Sequence, residues 1–178
     1  MAKIMTGPIG YNLTPQFKVL MANLNAEIKL IKNRSQAGLI KAAIHIRRST
    51  EDSPPITPLD TGNLRASWFT VTPQSEVPDP LGLSGNFHSK KATGVKANEM
   101  KKEYHAAIAE AKRMTAGDDP VVIMGYAVTY AAPVHEMVEV GEERWSRKDS
   151  GPKWLETHIY RDKDIIVKKV ADEAKIKG

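Results

Sequence analysis

Thr57-Pro58-Leu59-Asp60-Thr61-Gly62-Asn63-Leu64-Arg65-Ala66-Ser67-Trp68 reads as a tight turn that feeds an extended segment. Pro58 pre-sets its own φ, Asp60 and Thr61 can turn their side chains back onto nearby backbone N–H groups, and Gly62 can take the positive φ that closes such turns. From Leu64 the pattern has period two. Leu64, Ala66, Trp68 and Thr70 share one face, and Arg65, Ser67, Phe69 and Val71 the other. An aromatic residue on each face predicts a strand covered on both sides, within a strand region spanning 57–73.

Upstream of the turn, Thr14-Pro15 reads as a helix start, with Thr14 as N-cap and Pro15 at the first helical position. Phe17, Leu20, Met21, Leu24, Ile28 and Ile31 follow at steps that lay an apolar stripe along one face. Helical spacing continues through Leu39, Ile40, Ala43, Ile44 and Arg47, so residues 14–48 form a helical region. Asn33-Arg34-Ser35 allows either two helices or one long kinked helix. Residues 1–12, with two glycines and a proline, read as a loose arm. His45 is expected to be packed or on the surface, and Ser53-Pro54-Pro55 ends the region.

Downstream, the prolines and glycines of 74–119 mark a long insertion. Asn98 is placed to cap a short helix from Glu99 to Met114, with Tyr104, Ile108 and Ala111 as its apolar stripe. The apolar run at 120–130 predicts a second strand, antiparallel to the first. Pro133 halts it and turns His135 and Glu136 toward the sheet edge. Ser150 or Asp149 could cap a helix over 152–176 that packs on the sheet. The fold class expected is α+β: an N-terminal helical region, a small mainly antiparallel sheet and a C-terminal helix, in a single domain.

Thr57 to Trp68 resembles the signature of the small tail-completion, or neck, proteins that join head to tail in tailed bacteriophages. That family carries Thr-Pro-aliphatic-Asp-Thr-Gly-X-Leu-Arg-X-Ser at the entry to its first strand. Tyr130-Ala131 followed by Glu136, and the aromatic-aliphatic pair Trp154-Leu155, are similar to two further marks of the family, in the same order. The resemblance spans about two thirds of the chain; the insertion departs from it. It implies a virion protein assembled in the host cytoplasm, a hexameric or dodecameric ring around the DNA channel, in contact with head-side connector or portal proteins and with tail-tube or tail-terminator proteins. Asp60, Thr61, Gly62, Leu64, Arg65, Ser67, Trp68, Tyr130, Ala131, Glu136, Trp154 and Leu155 would then have structural or interface roles. Arg65 is expected to pair with an acidic residue, Glu136 being the candidate, near a subunit boundary. Removal of residues 78–95 is expected to spare the fold and impair docking.

A chain of 178 residues, 41% hydrophobic, can bury one ordinary core. Its formal charge of +5 favours an anionic partner, although 21 acidic residues are mixed among 26 basic ones. Lys90, Lys91, Lys96, Lys101 and Lys102 concentrate positive charge in the insertion. They support the alternative of a non-catalytic nucleic-acid-binding module, although no base-reading motif accompanies them. The absence of cysteine removes disulfides and thiolate metal sites. No apolar run approaches the ~18 residues of a membrane span, and the first residues lack the apolar core of a secretory signal.

Catalysis finds little support in the residues. His135-Glu136-Met137-Val138-Glu139 lacks the second histidine of the zinc-protease helix. Ser67 has no base nearby in sequence, and no phosphate-cradling glycine loop exists. Neither enzyme activity nor a cofactor is expected.

Overall fold

The computed structural model describes residues 15–91, 94–137 and 145–175. The arm at 1–12 and Thr14 lie outside them. The fold is α+β: one long helix, three shorter helices, two helical turns and a two-stranded antiparallel sheet among the described residues.

Helix α1 is a single unit over Pro15–Asp52. It passes through Asn33-Arg34-Ser35 without a break and runs past the expected end at 48. The prolines at 54 and 55 then forbid further helix.

Strand structure begins later than the alternation predicts. Leu64 and Arg65 belong to a helical turn, α2 (Asn63–Ala66), with Gly62 before it in the left-handed region at φ 84°. Ala66 N–H donates to Gly62 O at 2.9 Å, and the Ser67 hydroxyl donates to Leu64 O at 2.7 Å. A single turn can bury Leu64 and Ala66 together just as a strand can, so alternation alone could not separate the two. Strand β1 is only Trp68–Val71, and its partner β2 only Ile123–Tyr126, shorter than the 57–73 and 120–130 expected. Trp68 pairs with Tyr126 and Val71 with Ile123.

Helix α3 spans Ala97–Met114 and presents Ile108 and Ala111, with Tyr104 beside them, to Val71 of β1. Asn98 lies inside the helix and does not cap it; the Ser89 hydroxyl accepts the Ala97 N–H at 3.0 Å. Ala131–His135 forms α4, after β2.

The C-terminal segment divides into α5 (Trp154–Arg161) and α6 (Lys163–Ala174) at Asp162. At its start Trp154 meets the ring of Tyr126 on β2, with centroids 5.9 Å apart. From Asp162 onward the chain packs instead on α1, antiparallel to it: Ser49 and His45 bond Asp162, and Lys41 bonds Glu173. A Cβ on Gly38 would lie 2.8 Å from Val170 Cα, so the absence of a side chain there sets how closely the two helices approach.

The main core joins Leu64 and Ala66 of α2, Phe87, Met100, Val128, Ala131 and Trp154. Phe87 comes from the stretch read as an insertion. That stretch is therefore part of the folded body.

Candidate functional site

The Thr57–Trp68 turn is held from beneath by the end of α1. Thr57 N–H and its hydroxyl both donate to Thr50 O, at 2.8 and 3.0 Å, and the Thr57 and Tyr126 hydroxyls lie 2.9 Å apart. Burial pushes the Tyr126 phenol up and keeps it protonated.

Below this lies Arg47, whose side chain is fully excluded from water. Its guanidinium donates to Glu51 at 3.0 Å, to Asp79 at 3.1 Å and to the Arg65 carbonyl at 3.0 Å, while its face lies over the Trp68 ring at 5.3 Å. Burial works to raise the Asp79 pKa. The Arg47 hydrogen bond and charge, with the N–H groups of Leu81 and Leu83, outweigh it and hold the carboxyl below its ordinary value. Arg47 was legible only as a position on a helical stripe; Asp79 was one polar residue among loop prolines.

The predicted residues divide clearly. Arg65 does not reach Glu136: its Nε lies 2.7 Å from Glu51 Oε2, in a contact that is ionic rather than a well-aligned hydrogen bond, and Arg147 meets the same oxygen at 2.8 Å. Asp60 does not fold back on the turn but receives Lys90 Nζ at 2.7 Å. Thr61 accepts the Asn63 N–H at 3.4 Å. Asn63, singled out by no sequence signal, is fully buried and clamps the insertion at both ends of its amide. Its Nδ2 donates to His88 O at 2.8 Å, and its Oδ1 accepts His88 N–H at 2.7 Å.

Two of the three marks meet at a cavity of about 360 Å³ lined by Leu59, Gly62, Leu64, Met100, Tyr130 and Trp145, among others. Tyr130 is half-buried there; burial, with Asp60 and Glu103 nearby, pushes its phenol up to about 12. Ala131 and Trp154 join Leu64 in the core beneath.

Glu136 sits apart from Arg65, at the surface. It accepts from Lys153 Nζ and from His135 Nδ1, which together hold its carboxyl below the ordinary range. His135, Glu136 and Glu156 approach one another as metal ligands would, but Lys153 Nζ already bridges both carboxylates, 2.9 Å from Glu156. An ammonium thus supplies the positive charge of this cluster. Glu139 lies outside the described residues. Leu155 follows Trp154 beside this cluster.

Of the five lysines, Lys90 is tied to Asp60, and Lys96 lies 3.2 Å from Glu99. Lys91, Lys101 and Lys102 are exposed, with no ion pair among the described residues. No described helix is long and apolar enough to cross a membrane.

No protein-family model, no curated protein and no solved structure matches this chain.

Proposed function

We propose that this protein is a structural subunit of a tailed-phage neck, forming or joining an oligomeric ring that connects the head to the tail around the DNA channel. The observation that carries the reading is convergence. The Asp60–Leu64 turn and Tyr130 line one cavity, and Leu64, Ala131 and Trp154 share the core below it, although they come from three distant parts of the chain. Residues that resemble a family signature in order along the sequence here build one folded unit. The role is mechanical: a rigid body, pinned through Arg47, presents its surface to neighbours. Its partners are copies of itself in a hexameric or dodecameric ring, head-side connector or portal proteins on one side, and tail-tube or tail-terminator proteins on the other. Negative-stain electron microscopy of the purified protein tests the reading. Class averages with a central hole support it, and a field of single globular particles counts against it.

The exposure of Lys91, Lys101 and Lys102 favours a second reading, in which these side chains contact nucleic acid. Affinity for double-stranded DNA that falls steeply with salt would support it, and binding indifferent to salt would exclude it.

A further inference from the structure

Helix α1 carries one seam with two different fates. Met21, Leu24, Ile28, Ile31, Ser35, Gly38, Ala42, His45 and Ser49 follow one another at alternating steps of three and four, the spacing of a helix-pairing stripe. The C-terminal part of that stripe is covered within the chain. Val170 lies on Gly38, and Asp162 bonds His45 and Ser49. Helix α6 ends at Ala174, with Lys175 extended at ψ 137°, so its helix does not continue along the rest of the stripe.

Among the described residues nothing covers the N-terminal part. Residues 18–31 are all exposed, including Leu20, Met21, Leu24, Ile28 and Ile31 at 39–60%. From Leu20 to Ile31 this apolar strip is about 17 Å long at 1.5 Å per residue. Soluble monomers seldom leave such a surface uncovered. Val19 and Leu30 lie on the opposite side of the helix and take no part.

We propose that the exposed half of α1 pairs in parallel with the same segment of a second copy. The charges that flank the seam select both the partner and its direction. In a parallel pair Glu27 faces the partner's Lys32 on both sides of the seam, since these residues hold the g and following e positions. An antiparallel pair would set Lys18 against Lys32 and Glu27 against Glu27. The in-chain partner of Lys32 is Asp119 at 3.2 Å, whose side chain is 92% exposed, so Lys32 can turn toward Glu27 at little cost. The contact spans only about two heptads, which makes a weak pair by itself. The inference does not depend on the neck reading.

The chain has no cysteine, so single-cysteine variants report the pairing without background. Leu24→Cys and Ile31→Cys, oxidised under native conditions, should each give a covalent dimer. Glu27→Lys should weaken association about tenfold, the cost of turning two exposed pairs from attraction to repulsion. Adding Lys32→Glu should restore it, and Ile28→Asp should abolish the Leu24→Cys cross-link while keeping the wild-type urea midpoint. The proposal is overturned by the absence of cross-linking. Cross-linking only in mixtures of Met21→Cys with Ile31→Cys overturns it too, as does binding to phosphatidylserine vesicles without self-association. A Leu24→Cys cross-link that persists when Ile28→Asp is added would overturn it while leaving the neck reading standing.

Discussion

Arg47 Nε lies 3.1 Å from Asp79 Oδ1, with the two side chains 0% and 2% exposed. This pair joins the long helix to a stretch that the sequence presents as a loop. A charge pair so placed is weak evidence of net stabilisation, because desolvation offsets most of the attraction, but removal of one partner strands the other.

Arg47→Ala should therefore cost about 3–5 kcal/mol. It leaves the Asp79 carboxylate buried without its guanidinium, and Glu51 with only Arg65 and Arg147. Urea unfolding followed by circular dichroism checks this. A loss below about 1 kcal/mol would mean that water or a neighbouring arginine takes over the vacated place.

Deletion of residues 78–95 should abolish soluble folded protein. The segment supplies Asp79, the buried Phe87 and the His88 backbone that Asn63 clamps. Soluble yield and a cooperative thermal transition are the measurements; a folded deletion variant would show that the body closes without them.

Gly38→Ala opposes two effects. Helix propensity favours alanine by about 1 kcal/mol. Contact of the new Cβ with Val170 at 2.8 Å forces α6 outward, and overpacking of this kind costs about 1–3 kcal/mol. The second should win, giving a lower urea midpoint. A raised midpoint would show that α6 can yield without loss.

Acid should loosen the same helix pair. Asp162, hydrogen-bonded by Arg161 and Ser49 and facing His45, has its pKa lowered from 3.8 to about 2. A depressed carboxyl pKa stabilises the fold above the unfolded value, and that stabilisation is lost as pH falls through the folded one. The window here runs from about pH 4 down to about 2. Arg161 is 41% exposed and screened, so the effect is about 1–2 kcal/mol. Unfolding temperature measured across that window should fall in the wild type and change less in Asp162→Asn. Parallel curves would remove Asp162 from the account.

Much of this architecture was legible because it rests on periodicity and turn chemistry. The apolar stripe of α1, the helix ending at Met114, the positive φ of Gly62 and the antiparallel pairing of the two strands all follow from local residue types. What stayed hidden was tertiary. Leu64 and Ala66 fit a strand or a single helical turn equally well, and only the bonds to Gly62 and Leu64 carbonyls decide. The break at Asp162 depends on side chains of α1 more than a hundred residues away. Arg65 found Glu51 rather than Glu136 because the guanidinium cluster lies under the turn, whereas Lys153 and His135 already engage Glu136. Charge pairing over long separations leaves no period in a sequence.

Native mass spectrometry of the purified full chain, over a range of concentrations at fixed salt, tests the central claim most directly. A closed oligomer of six or twelve copies, with no larger species as concentration rises, is the result predicted for a neck ring. An open-ended ladder of sizes would contradict it outright, and a mass that stays monomeric throughout would contradict ring formation by this chain alone.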